Sequence, residues 1–273
     1  MTERNKPLIS VVTVSYNAVA VIEQTILSVI NQTYPHIEYI IIDGGSKDGT
    51  IEIIKKYENH IAYWISEPDK GIYDAMNKGI TKATGVWINF MNSGDRFVDE
   101  HVIAKLILNI GQNVPDVIYG ESLLDNGTTS YFPMKVRNLK EIWKGMCFCH
   151  QASFVRTALL QREPFDSTFS IAADFKTFFQ FYQAGKWFQY IPMPICLYKV
   201  GGFSDNNPKA VREWMKIVLP AYKSLKYRVF FGYRWIKCVL KYNLCQWIGI
   251  ANYDFLRKLK RDGLRLLQGE RRQ

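Results

Sequence analysis

Two stretches, LISVVTVSYN at 8–17 and IEYIIIDGGSKDGT at 37–50, share one grammar: a short apolar, β-branched run that breaks off into polar residues. Residues 8–15 and 37–43 read as buried strands on that pattern. Between them Val19, Ile22, Ile26, Val29 and Ile30 recur at helical spacing, so one face of that segment is buried. Asn17 is placed to cap the helix and Tyr34-Pro35 to end it. The same alternation continues outward. Residues 61–66 read as a strand, 71–84 as a helix, 86–91 as a strand, a helix follows Asp99, and 116–119 read as another strand. Asp48 is placed to cap a helix reaching about residue 57. Strands that alternate with helices and are apolar almost throughout predict an α/β fold with a mostly parallel sheet covered on both faces.

In such sheets ligands bind beyond the carboxyl ends of the strands. Four polar segments stand there: 15–17, 43–46, 67–71 and 92–95. No G-x-G-x-x-G follows the first strand, which disfavours a dinucleotide-dependent dehydrogenase. No G-x-x-x-x-G-K-[ST] and no G-x-S-x-G is present, which sets aside P-loop enzymes and nucleophile-elbow hydrolases.

VVTVSYN at 11–17, IIIDGGSKDGT at 40–50, SEPDKGIYDAMNKG at 66–79 and FMNSGD at 90–95 stand in that order on successive strand ends. In order and spacing they resemble the family 2 glycosyltransferases, over roughly residues 7–205. The resemblance implies the GT-A fold, a Rossmann-like sheet flanked by helices. It is closest to bacterial enzymes that assemble O-antigen, capsule or exopolysaccharide. It implies a nucleotide-sugar donor, UDP before dTDP or GDP, and an inverting transfer to a hydroxyl of a saccharide acceptor, commonly lipid-linked. Two rivals stand beside it. A sugar nucleotidyltransferase would want a glycine-rich basic loop after the first strand, and VSYNAVA supplies none. A non-catalytic binding subunit is favoured by Gly94 within the metal motif and opposed by Asp95 and Asp174.

A nucleotide-sugar needs hydrogen-bond partners for base and ribose and positive charge for its pyrophosphate. Thr13, Ser15, Asn17 and Asp43 are assigned to the nucleoside, with a buried strand residue and a loop-capping carboxylate as the other readings of Thr13 and Asp43. Asp69 and Lys70 are assigned to nucleoside and phosphate in a charged turn that otherwise reads as solvated ion pairs. FMNSGD falls at the family's metal position. Asn92 and Gly94 stand where many members have acids, so Asp95 is the expected ligand of Mg2+ or Mn2+, with Asn92 near the donor. Asp174 in IAADFKTFFQF matches the catalytic base, against a helix N-cap as the plain reading. His150-Gln151 is assigned to acceptor or diphosphate, and residues 201–204, Gly-Gly-Phe-Ser, to a loop over the donor. Asn126-Gly127 reads as a turn, and Gly185 as the terminator of a helix over 172–184.

The charge is divided unevenly along the chain. The first 208 residues carry 19 Lys and Arg against 21 Asp and Glu, and the last 65 carry 16 against 4. The expected organisation is therefore a catalytic domain over 1–208, with a nucleotide-sugar half (1–120) and an acceptor half (121–208), followed by a basic helical extension over 209–273. Arg234, Lys237 and Lys241 form one stripe on an otherwise aromatic and apolar segment, and Arg257, Lys258, Lys260, Arg261 and Arg265 a second basic helix. One reading is a helix in the interface of an anionic membrane; the other is a cap packed on the catalytic domain. No recognition motif supports nucleic acid as the partner. The sequence contains no run of 18 apolar residues, its start lacks the apolar core of a secretory signal, and its five cysteines at 147, 149, 196, 238 and 245 form no disulfide or zinc pattern. The expected setting is cytoplasmic, peripheral on the inner face of the inner membrane.

Overall fold

In the computed structural model the described residues are 6–125, 131–199 and 207–248. The Asn126-Gly127 turn, the 201–204 loop and the second basic helix over 257–265 lie outside them. The chain divides into two compact units, Met1–Gly202 and Phe203–Gln273.

The first unit is built on a single sheet. Its strands are β1 (Ile9–Ser15), β2 (Ile37–Asp43), β3 (Tyr63–Ser66), β4 (Trp87–Phe90), β5 (Arg96–Phe97), β6 (Val117–Asp125), β7 (Phe132–Met134), β8 (Ser153–Arg156) and β9 (Phe188–Lys199). Their order is β3-β2-β1-β4-β8-β6-β9-β5, with β7 pairing β6. The pairs β3–β2, β2–β1, β1–β4 and β6–β9 are parallel, while β8 runs antiparallel to both β4 and β6. Helices α1 (Ile22–Ile30), α2 (Thr50–Lys56), α3 (Ile72–Lys82), α4 (Val102–Ile110), α5 (Thr157–Arg162) and α6 (Ala173–Gln183) complete it.

Period-two alternation assigns the two faces of the sheet. Ile9, Val11, Tyr39, Ile41 and Trp87 join Ile22, Ile26 and Val29 of α1 and the apolar face of α4 in one buried cluster. Val12 points the other way, toward α3. A Cβ on Gly79 of that helix would lie 2.5 Å from Val12 Cγ1, so only glycine permits this approach of helix to strand. Register β1–β2–β3 aligns Ser15 with Asp43 and Asp43 with Ser66, which brings three strand ends to one line.

Two local expectations change. Asn17 does not cap α1: the helix starts at Ile22 with Val21 as its N-cap, and Asn17 instead adopts φ +47°. An asparagine tolerates this left-handed geometry, and its Oδ1 accepts from Lys47 N at 3.1 Å, tying the β1 loop to the β2 loop. Asp48 does hold the start of α2, accepting from Thr50 N and Thr50 Oγ1. Gly185, at φ +69°, follows the end of α6 as expected, with Lys186 N donating back to Phe181 O and Gly185 N to Tyr182 O.

The second unit contains α7 (Pro208–Val218) and α8 (Leu225–Ile248). Asn207 caps α7 by accepting from Lys209 N, with Pro208 at its first position. The two helices pack through cation–π contacts: Arg234 over Trp214 at 4.3 Å and Arg212 over Trp235 at 5.1 Å. No helix among the described residues is long and apolar enough to cross a membrane.

Candidate active site

The carboxyl ends of β1, β2 and β3 meet at Asp43, which is fully buried. Its Oδ1 accepts from Ser15 Oγ at 2.8 Å and Ser46 Oγ at 2.6 Å. Its Oδ2 accepts from Gly45 N at 3.1 Å, Ser46 N at 2.8 Å and Ser66 Oγ at 2.6 Å. Burial alone would raise this carboxyl; the hydrogen bonds from Ser46, Ser66 and Ser15 outweigh it and hold the group below its ordinary value. Asp43 is thus the knot that fixes three strand-end loops, and Ser15 spends its hydroxyl on that knot. Thr13, expected at the nucleoside, is set back in the sheet: it is fully buried and its Oγ1 pairs with Tyr39 OH at 3.0 Å. Of the two readings of Thr13, the buried strand residue is the one observed.

The groove wall is made by their neighbours. Tyr16 is 66% exposed at the end of β1. A Cβ on Gly44 would lie 2.5 Å from Asp69 Oδ2 and 3.3 Å from a ring carbon of Tyr16, so Asp69 and Tyr16 converge on a surface that only a glycine leaves open. Asp69 Oδ1 accepts from Gly71 N and Asp74 Oδ2 accepts from Lys70 N, which shape the turn into α3 and leave the Lys70 side chain exposed. Asn17, Tyr16, Asp69 and Lys70 therefore line one open rim. Tyr16 escaped sequence reasoning; its signal was a large aromatic at a strand end, among residues already singled out.

The FMNSGD turn follows β4. Asp95 is buried, with Oδ2 accepting from Gln151 Nε2 at 2.7 Å and Oδ1 from Lys199 N at 3.0 Å. Burial raises its carboxyl above the ordinary range despite these bonds and nearby positive charge. The expected metal ligand thus doubles as a tie between the turn, the 150–152 segment and β9. No cluster of three His, Cys, Asp or Glu that could hold a metal exists among the described residues. What the turn does offer is oxygen: Asn92 Oδ1 and Ser93 Oγ are buried without a hydrogen-bond partner. Neutral oxygens and one carboxylate suit a hard cation, but only with ligands shared from outside the chain. Lys199 was missed by sequence reasoning. Its side chain passes over the turn, with Cδ 3.6 Å from where a Cβ on Gly94 would be.

Asp174 stands in the first turn of α6, but Ala172 is the N-cap and the carboxylate does not cap the helix. Its Oδ1 accepts from Tyr73 OH at 2.8 Å, and its Oδ2 lies 3.2 Å from His150 Nδ1. Three separate elements, α3, the 150–152 turn and α6, are needed to assemble this contact. Asn77 braces them, exchanging hydrogen bonds with both backbone groups of Phe165. Burial would push Asp174 up and His150 down, yet each moves the other way. The bond and charge of the partner lower the carboxyl and raise the imidazole, so the ionised pair is favoured.

His150 Nε2 faces Asn92 Nδ2 at 3.3 Å. A neutral ring can accept there. An imidazolium has two N–H donors, and meets the unpartnered Asn92 Oδ1 once the amide turns over. His150 thus links the Asp174 corner to the FMNSGD turn. Gln151, buried, serves Asp95 and accepts from Cys149 Sγ at 2.6 Å, so it supports the site from behind.

The comparisons with known proteins bear on the family and the fold. The chain is 36% identical over 176 residues to an uncharacterized glycosyltransferase of Mycobacterium tuberculosis, covering 62% of this chain and 66% of that one. It spans just under two thirds of that relative's length. It is 36% identical over 124 residues to the putative teichuronic acid biosynthesis glycosyltransferase TuaG of Bacillus subtilis, covering 44% and 48%. Among solved structures, TarS of S. aureus in complex with UDP superposes with a TM-score of 0.64 at 19% identity, over 78% of this chain and 64% of that one. That likeness shows the fold, the GT-A sheet expected from the strand-end motifs. The model of glycosyl transferase family 2 matches residues 10–182, well over half of the chain, and the chain belongs to that family.

Proposed function

We propose that the chain transfers a sugar from a nucleotide-sugar to a hydroxyl of a saccharide acceptor, with inversion at the anomeric carbon, in the synthesis of a bacterial surface polysaccharide. The observation that carries this is the Asp174–His150 pair, 3.2 Å apart and set beside the FMNSGD turn. The fold of TarS, which was captured with UDP, supports a nucleotide-sugar donor and makes UDP the first nucleotide to test. TuaG, named for teichuronic acid biosynthesis, supports the surface-glycan setting.

The roles follow from position. Tyr16, Asn17 and Asp69 hold the nucleoside, with Asp43 and Ser15 fixing the loops that carry them. Lys70 and Lys199 supply charge toward the pyrophosphate. Asp174, kept ionised, accepts the proton of the acceptor hydroxyl as it attacks from the face opposite the nucleotide. Tyr73 and His150 orient that carboxylate, and the second ring nitrogen of His150 faces the departing diphosphate through Asn92. Mg2+ or Mn2+ would be held by Asp95 and the Asn92 oxygen, completed by the donor's phosphates, and would offset charge on the leaving group. The acceptor is lipid-linked, and the protein works as a peripheral protein on the cytoplasmic face of the inner membrane.

The test is donor-dependent transfer by the purified full chain, across a panel of nucleotide-sugars with and without Mn2+. Release of nucleoside diphosphate coupled to a glycosylated acceptor supports the reading. Release of pyrophosphate from a nucleoside triphosphate would make it a nucleotidyltransferase, and nucleotide binding without any turnover a binding subunit.

A further inference from the structure

The second unit shows a feature that the transfer chemistry does not use. Eight large apolar or aromatic side chains of α8 are solvent-exposed; Tyr242 lies on the opposite side of the helix, and seven lie together: Leu225, Val229, Tyr233, Ile236, Leu240, Leu244 and Trp247, the last at 85%. At about 100° per residue they fall within an arc of roughly 100°, a single ridge along a 24-residue helix. Phe231, fully buried, and Trp235, under Arg212, occupy the other side. Of the Arg234, Lys237 and Lys241 stripe, Lys237 is exposed and the other two are half-buried. Arg234 lies over Trp214 of α7, and the outward face is apolar.

Charge identifies what covers the ridge. Helix α8 contains Lys226, Arg228, Arg234, Lys237 and Lys241 and no acidic residue. On the same wheel Lys226, Lys237 and Lys241 border one edge of the ridge and Arg228 lies beyond the other. A second copy of this helix laid on the ridge would bring lysines against lysines. An apolar strip edged by cations fits a surface that is apolar within and anionic at its boundary. We propose that this face of α8 is a docking ridge for an anionic lipid bilayer, the helix lying along the interface with Val229, Ile236, Leu240 and Trp247 in the acyl boundary and Lys226, Lys237 and Lys241 at the headgroups. The ridge deepens the peripheral-membrane part of the proposed function and does not rest on the transfer chemistry.

The test is co-sedimentation of the full chain with vesicles of phosphatidylcholine alone or with 30% phosphatidylglycerol (about a third anionic, within the range over which such helices respond). The wild type partitions onto anionic vesicles at least ~10-fold more strongly than onto neutral ones. The double variant Ile236→Glu, Leu240→Glu, both at exposed positions, loses at least ~10-fold of that partition, with its thermal midpoint and nucleotide binding unchanged. Lys226→Gln with Lys237→Gln weakens binding to anionic vesicles only. The proposal is overturned if the wild type ignores anionic vesicles, or if the double glutamate variant binds as well as the wild type. It is also overturned if the ridge instead drives a concentration-dependent dimer that this variant dissolves. Since no donor or acceptor is present, these outcomes leave the transfer reading to its own assay.

Discussion

Two carboxylates of the candidate site, Asp43 fully buried and Asp174 13% exposed, are treated differently by the fold. Asp43 receives five hydrogen bonds, all from neutral hydroxyls and backbone amides of the strand-end loops. Asp174 has a tyrosine hydroxyl, the backbone N–H of Phe175 and one titratable partner. Both are held below the ordinary carboxylate range, for different reasons. Neutral donors that cannot leave make Asp43 a fixed structural anion. A histidine that can lose its proton makes the charge on Asp174 conditional on its neighbour. Architecture and chemistry are thus divided between two residues of one type, and partner identity separates them.

The largest expected effect breaks the comparison on the chemical side. Asp174→Asn keeps the shape and removes the base, so turnover should fall by about 10²–10⁴-fold while nucleotide binding persists. Transfer assays paired with calorimetry check this, and full activity in the variant would remove the assignment. The matching change on the structural side is Asp43→Ala. It leaves three hydroxyls and two amides around a hole, and should cost on the order of 3 kcal/mol. For a domain of this size that lowers the melting temperature by roughly 6–12 °C. A thermal scan near the wild-type value would show that the loops hold themselves.

How much of this was legible in the sequence depends on whether the information was local. The four strand ends were legible because apolar runs stop abruptly at Ser15, Asp43, Ser66 and Met91, and the parallel register then aligns the first three, with β4 ending level with Val12. Asp174 and His150 were each picked out, but their contact was not. It depends on α6 and the 150–152 turn meeting against Tyr73, across about a hundred residues of chain. Thr13 misled for the reverse reason: it lies in a strand whose end is functional, yet period-two alternation turns it into the sheet toward Tyr39. The apolar ridge of α8 is not legible in the cation stripe alone, because which side faces out depends on Arg234 packing over Trp214 of α7.

A smaller effect sharpens the comparison through pH. The folded carboxyl of Asp174 is depressed, so its contribution to stability is present above the unfolded value and fades as pH falls through the folded one. The imidazole of His150 is raised, so its contribution is complete below the unfolded value and fades as pH rises through the folded one. The pair therefore stabilises the fold most between the two. His150→Gln removes the charge that does most to keep Asp174 ionised and leaves only neutral hydrogen bonds against burial, so the acid limb of the pH–rate profile should move to higher pH. Asp43 has no titrating partner, and Ser66→Ala beside it should leave that limb where it is.

Tyr73→Phe gives the smallest shift, in the same direction as His150→Gln, because the one proton lost is shared between Asp174 Oδ1 and Ile171 O and no charge goes with it. A loss of about 0.5–1.5 kcal/mol corresponds to roughly a 2- to 12-fold fall in turnover. A profile of kcat against pH decides between two roles for the tyrosine. A positioning hydroxyl moves the acid limb of Tyr73→Phe upward, whereas a purely packing ring, held against Phe165 at 5.6 Å, leaves the limb in place and lowers only stability.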